Sequence, residues 1–331
     1  MKKILQYLFD HHTLSRAEAR AILTEIAQNK YNENEVTAFV SVFLMRNITV
    51  AELEGFQEAL LQLAVPVDLG THDLVDIVGT GGDGKNTFNI STLASFIVAG
   101  TGQKVAKHGN YGVSSTSGAS NVLEELGYEF KANAGDLKKD LERANICFIH
   151  APLFHPALKA VAPLRKNLGL RTFFNILGPL VNPAKPLYSL IGVYNPEIAR
   201  IYQYLLQKQK DRFMLVHALD GYDEISLTQD TKIYSEKGED IYSAEDLHFK
   251  NTEPESIFGG ETKQEAAEIF LNILKGNGTY GQTAVVLANA AMALKNTGKY
   301  GSYEDCLQRS KTSLESGNAF ECLKQLTIQK N

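Results

Sequence analysis

Residues 76–92 read DIVGTGGDGKNTFNIST and match two phosphate-binding signatures at once. Gly79, Gly81 and Gly84 fit G-x-G-x-x-G, while Gly79, Gly84 and Lys85 fit most of G-x-x-x-x-G-K-[ST]. Each familiar reading lacks a required residue. A dinucleotide site needs an acid roughly 20 residues on, at the end of the second strand. That stretch here is KVAKHGN, with Lys104, Lys107 and His108 and no acid. A P-loop needs Ser or Thr directly after the lysine to hold magnesium, and this chain has Asn86. A third reading fits better. The glycines let successive N–H groups converge on an anion. Asn89, Ser91 and Thr92 then offer hydrogen-bonding side chains at the start of the next helix, where the macrodipole favours anions. Asp83 would repel a bare phosphate, but an acid suits a sugar hydroxyl or a metal. The plain alternative is a tight turn followed by a helix cap.

Three further stretches carry chemistry. KHGNYGVSSTSGAS, residues 107–120, is a Gly/Ser-rich strand-to-helix loop opened by Lys107. It can cradle a second phosphate or act as a flexible linker. LDGYDEISL, residues 219–227, holds the adjacent acids Asp223 and Glu224. Magnesium is usually held by one or two carboxylates together with substrate phosphates and water, and Ser91 could add a ligand. The same pair alone could be a solvated turn. APLRKNLGLRTFFNILGPLVNP, residues 162–183, carries Arg165, Lys166 and Arg171. An arginine grips a carboxylate bidentately, though an exposed helix face explains any one of these cations equally well. Two anion loops on neighbouring strands imply a ligand with phosphates at two separated places. The eight histidines are scattered, and His108 is the one inside a candidate site. No nucleophile–base constellation is evident, which suits a reaction needing mainly positioning and charge stabilisation.

The elements that must position these loops follow from capping and periodicity. Ser15 with Glu18, Asn32 with Glu35 and Thr49 with Glu52 read as capping boxes opening three helices. From about residue 74, short apolar runs alternate with helical stretches, which implies crossover units and a largely parallel sheet. Ligands of such sheets sit beyond the carboxyl ends of the strands. The chain from Thr262 is helical again. The expected organisation is a small all-helical domain over 1–70 and a large α/β domain over 71–331, its mainly parallel central sheet flanked by helices.

Composition narrows the class. The chain has 331 residues, 44% hydrophobic and 21% charged, as in ordinary globular proteins. A net charge of −5 argues against gripping nucleic acid as the main task. Cys147, Cys306 and Cys322 are too few and too scattered for a disulfide framework or a zinc site. They suit a reducing compartment. The opening MKKILQYLFDHH is broken by Gln6 and stopped by Asp10, too early for a signal peptide. No apolar run approaches the roughly 20 residues of a membrane span. A cytoplasmic protein without membrane contact is expected.

Taken together, GTGGD at 79–83, NIST at 89–92, KHGN at 107–110, SGAS at 117–120, LRKNLGLRTFFNILGPLVNP at 164–183 and Asp223-Glu224 resemble the anthranilate phosphoribosyltransferase family. The resemblance covers most of the chain, in the family's order and spacing. It implies a fold shared with pyrimidine nucleoside phosphorylases, and homodimers formed through the helical domain, which part of 160–185 joins in space. It implies transfer of the 5-phosphoribosyl group of phosphoribosyl pyrophosphate (PRPP) to the amine of anthranilate, with magnesium, two ions accompanying the pyrophosphate.

By position, Gly79, Gly82, Asp83 and Thr87, with Asn89, Ile90, Ser91 and Thr92, would hold the diphosphate and ribose. Lys107, His108, Gly109 and Asn110, with Tyr111 and Gly112, would hold phosphate, as would Val113, Ser114, Ser115 and Ala119. Gly79, Asn110 and Arg165 would bind anthranilate. Ser91, Asp223 and Glu224 would bind the metal. No covalent nucleophile is expected, and His108 could accept a proton late. The chain departs from the common pattern at Tyr111, where many members have Arg, and at Thr116, where many have Lys. Ala119 and Asn121 stand where many have Ser and Asp. The competing readings are a pyrimidine nucleoside phosphorylase-like enzyme and a nucleic-acid-binding relative on the same scaffold.

Overall fold

A computed structural model describes residues 1–112, 117–209 and 212–327, the side chain of Lys166 excepted. Val113, Ser114, Ser115 and Thr116 lie outside the described residues. Four helices open the chain: α1 (Lys2–Phe9), α2 (Arg16–Ala27), α3 (Glu33–Met45) and α4 (Val50–Leu63). Then follow β1 (Val75–Gly79), α5 (Ile90–Gly100), β2 (Val105–Gly109), α6 (Ala119–Glu125), α7 (Ala134–Ala144) and β3 (Ile146–His150). Three short helices come next: α8 (Ala151–Phe154), α9 (Pro156–Ala160) and α10 (Ala162–Leu168). After them come β4 (Tyr188–Gly192), α11 (Pro196–Gln209), β5 (Phe213–Ala218), β6 (Thr231–Ser235) and β7 (Gly238–Tyr242). The helices α12 (Lys263–Leu274), α13 (Tyr280–Thr297), α14 (Tyr303–Glu315) and α15 (Asn318–Thr327) close the described chain.

The chain forms two compact units, one of Met1–Pro66 with Ala151–Pro183 and one of Val67–His150 with Ala184–Asn331. In the helical unit all three capping boxes form. Ser15, Asn32 and Thr49 accept the amides of Glu18, Glu35 and Glu52, and those acids accept back. The helix α1 has no box and no side-chain cap. Segment 151–183 belongs here because its apolar residues complete this core. Phe173 stacks on Phe56 with centroids 4.6 Å apart, and Phe39 and Phe43 meet both edge-on. Burying such a side chain contributes about 1.5–3 kcal/mol. Gln57 Nε2 donates to Leu180 O at 2.9 Å, and Val65 N to Phe154 O at 2.8 Å.

The second unit holds a seven-stranded sheet of order β3-β2-β1-β4-β5-β6-β7. Strands β1 to β5 are parallel, with Gly79 opposite Gly192 and Gly109 opposite His150 at the carboxyl edge. The β5–β6 and β6–β7 pairs are antiparallel. The first four strands are almost wholly buried, so they read as continuous apolar runs rather than alternating ones. Helices α5 and α13 pack in the main core and are buried on nearly every side. The Ala-rich run of α13 suits that place, since small side chains let neighbouring elements approach. Among the described residues no helix is long and apolar enough to cross a membrane.

Candidate active site

The first loop, residues 80–89, leaves β1 with Gly81, Gly82 and Gly84 at φ of 63°, 77° and 76°. Side chains rarely adopt that left-handed region. The far half of the loop is pinned rather than helical. Asn86 O accepts from Gly259 N at 2.7 Å, and Asn86 Nδ2 donates to Gly260 O at 2.8 Å. Phe88 N donates to Ile257 O at 3.2 Å, and Thr87 bridges Phe258. Asn86 therefore holds the loop to a distant segment, at the place where a P-loop would begin its helix. Lys85 turns its ammonium onto the Tyr222 ring, 4.6 Å from the centroid, and its amide donates to Asp83 Oδ1 at 3.0 Å.

The acids of the loop after β5 reach back to this first loop. Gly81 N donates to Asp223 Oδ2 at 2.7 Å, and Ser91 N donates to Glu224 Oε1 at 3.2 Å. There is no room for side chains underneath. A Cβ on Gly79 would stand 2.3 Å from Asp223 Oδ2, and one on Gly192 would stand 1.5 Å from Asp223 O. The helix α5 thus has its early Ser91 amide satisfied by Glu224. Asn89 stands at the N-terminal cap position of α5 but makes no side-chain cap bond. Its Nδ2 instead donates to Ser117 O, 3.0 Å away in the second loop. Ile90 and Thr92 are buried in the first turn of α5.

Lys107 is buried on β2, with Nζ donating to Ile77 O and standing 3.4 Å from Ser91 Oγ. His108 is also buried, on the opposite face by strand alternation, and its amide donates to Asp76 Oδ1 at 3.2 Å. Asn110 Oδ1 accepts from Tyr111 N at 2.8 Å. Gly109 sits against the Phe148 ring, and Ala119 opens α6.

The electrostatics follow from crowding and burial. Burial, and then the charge of Asp83, push Asp223 up to about 7. Burial and the charge of Asp223 push Glu224 up to about 8, against the pull of Lys107. Burial lowers the pKa of Lys107, with Asp76 and Glu224 opposing. Among the described residues no group of three or more His, Cys, Asp or Glu side chains is arranged to hold a metal ion. The paired carboxylates can supply part of a coordination shell, as suits a cation that keeps water and ligand oxygens.

Arg165 lies in the helical unit, on α10, with its guanidinium 5.7 Å from the centre of the Phe174 ring. Burial lowers its pKa. Sequence reasoning overlooked one residue of the site's support. Asn289 is fully buried on α13; it accepts from Ile225 N at 3.1 Å and donates to Ile225 O at 2.9 Å, directly after Glu224. A lone amide inside LANAAMAL was the available signal.

Comparison with known proteins places these loops in context. Residues 2–64 match the helical bundle domain of a glycosyl transferase family, and residues 71–320 match its a/b domain. The anthranilate phosphoribosyltransferase of Bacteroides thetaiotaomicron is 53% identical over 325 residues, 98% of each chain. The crystal structure of anthranilate phosphoribosyltransferase from Thermus thermophilus superposes with a TM-score of 0.91 at 30% identity, covering 98% of both chains. That from Saccharomyces cerevisiae in complex with PRPP and Mg gives 0.87 at 26% identity, covering 95% of this chain and 93% of the other. Half the residues are shared with the Bacteroides protein along nearly its whole length, and each domain of the glycosyl transferase family is matched in turn. The chain therefore belongs to the anthranilate phosphoribosyltransferase family.

Proposed function

We propose that the chain transfers the 5-phosphoribosyl group of PRPP to the amine of anthranilate, giving N-(5-phosphoribosyl)anthranilate and pyrophosphate, a step of tryptophan biosynthesis. The observation that carries this reading is the meeting of the first loop with the Asp223-Glu224 loop through the Gly81 and Ser91 amides. The first loop, from Gly79 to Asp83 and again from Thr87 through Thr92, takes the diphosphate and ribose. Asp83 accepts from a ribose hydroxyl. Lys107 and the loop after it, through Gly112 and on to Ala119, take phosphate. Asn110 and Arg165 are the residues we assign to anthranilate, with Gly79 beside it.

The amine of anthranilate is neutral at pH 7, so it attacks without prior deprotonation. The harder part is departure of pyrophosphate as oxocarbenium character grows on the sugar. Backbone amides of the first loop that face the leaving group favour the developing charge. Asn110 and Arg165 aim the amine at the anomeric carbon, which is a proximity effect. The attack is a direct displacement with inversion. His108 is the candidate for accepting the amine proton late.

The donor set fits magnesium. Burial and neighbouring acids, Asp83 beside Asp223 and Asp223 beside Glu224, push the two carboxyls up to about 7 and about 8, and a divalent cation would offset that crowding of negative charge beyond what Lys107 does. Asp223, Glu224 and Ser91 would hold it, as two ions with the pyrophosphate in place, and its charge offsets that of the leaving group. We also propose a cytoplasmic homodimer formed through the helical unit. Exposed Phe9 and Met45 on that unit and three buried free thiols support it. The test is the loss of anthranilate fluorescence on adding PRPP and magnesium. The signal should fall only with both present, and a signal that never falls overturns the reading.

A further inference from the structure

The described ends of the second loop touch. A Cβ on Gly118 would stand 2.1 Å from Gly112 N and 2.6 Å from the Tyr111 carbonyl carbon. Gly118 has φ of −81°, so glycine is required there by the contact and not by the backbone angle. Both amides at this neck donate to one acceptor. Gly112 N and Gly118 N each lie 3.0 Å from Asn121 Oδ1. Ser120 N adds a rung to Asn110 O at 3.2 Å. Two ties hold the neck to its surroundings. Asn89 Nδ2 donates to Ser117 O at 3.0 Å, joining it to the first loop, and Tyr111 OH donates to Glu124 Oε1 at 2.6 Å, joining it to α6. Asn121 is only 9% exposed, so water replaces its oxygen poorly if it is removed.

We infer that Asn121 is a positioning residue for the phosphoribosyl transfer. It closes the neck of the second loop and so fixes where Asn110 to Gly112 stand relative to Asn89. The inference rests on reading this loop as one that takes donor phosphate. An amide oxygen does the work of a carboxylate oxygen here, because the task is to accept two N–H groups. A plain helix cap would also use Asn121, but a cap affects stability alone. A neck affects the ligand.

The test is calorimetric titration of PRPP with magnesium into the parent, N121A and N121D, with circular dichroism on each and steady-state constants alongside. N121A loses both acceptances at this part-buried neck and should weaken PRPP binding about tenfold, two hydrogen bonds of ordinary net strength together being worth that order. N121D keeps both and should stay within about threefold of the parent, well under the tenfold that 1.4 kcal/mol represents. The Michaelis constant for PRPP should rise more in N121A than that for anthranilate. An N121A chain that melts lower but binds PRPP like the parent overturns the inference in favour of a cap. A folded N121D that binds tenfold worse than the parent overturns it whether or not N121A folds. A parent that binds no PRPP overturns the functional reading as well, a result distinct from both.

Discussion

Asp223 accepts the amide of Gly81 across 142 residues of sequence, with Oδ2 2.7 Å from the nitrogen. To do so it passes over the end of β4 and occupies the space that a side chain on Gly79 or Gly192 would fill. The two opposed strand-end glycines are thus the floor under Asp223, Gly79 beneath its carboxylate and Gly192 beneath its main chain.

That floor predicts two graded variants. G192A meets backbone, the Asp223 carbonyl oxygen, while G79A meets the side-chain oxygen Asp223 Oδ2. Overpacking of this kind costs about 1–3 kcal/mol. G192A should lower the melting temperature more than G79A. G79A should retain most of its stability yet weaken PRPP binding in magnesium. Equal melting temperatures and unchanged binding in both would show that the contact is not tight.

The acid pair predicts a pH dependence with a definite sign. Asp223 and Glu224 are pushed up to about 7 and about 8, so between pH 4 and 8 the folded chain binds more protons than the unfolded one. Stability contributed by a raised acid is lost as pH rises through its folded pKa. D223N/E224Q should therefore melt above the parent at pH 8 without magnesium, and the gap should shrink at pH 5. The double variant should also lose the thermal stabilisation that magnesium with PRPP confers on the parent, a stabilisation that grows from pH 6 to pH 8. Parallel melting curves at every pH would remove the two acids from this role.

Arg165 predicts a split between substrates. Its guanidinium is half-buried and lies over Phe174, and its planar fork suits a carboxylate. R165A should raise the Michaelis constant for anthranilate about tenfold to a hundredfold, the range of a hydrogen bond to a charged group. The constant for PRPP should move little. An equal rise in both would assign Arg165 elsewhere.

Asn289 predicts that a residue on a core helix governs the Asp223-Glu224 loop. N289L deprives Ile225 N and Ile225 O of their partner in a fully buried place. The cost should be about 2–3 kcal/mol in chemical denaturation, for buried groups left unsatisfied. The magnesium concentration needed for half-maximal activity should rise as Glu224 shifts. Loss of stability without a change in that concentration would make Asn289 a packing residue only.

The sequence by itself determined the helix starts and the order of elements, which depend on near neighbours. The boxes at Ser15, Asn32 and Thr49 join residues three apart, so they form whatever surrounds them. The alternation of apolar runs and helical stretches required a mainly parallel sheet, and that sheet put the glycine-rich loops of β1 and β2 on one edge. The antiparallel β6–β7 pair turns at Glu236-Lys237 between the runs TKIYS and GEDIY, whose apolar and polar residues do not alternate, so no strand signal marks it. Only the tertiary structure decided which groups meet. That Asn86 pairs with Gly259 and Gly260, that Glu224 takes the Ser91 amide, that Asn289 holds Ile225 and that Asn121 joins Gly112 to Gly118 depend on packing between elements. Segment 151–183 joined the helical unit for the same reason, since Phe173 finds its partners on α3 and α4. Local periodicity records which face of an element is apolar, but not which distant surface will cover it.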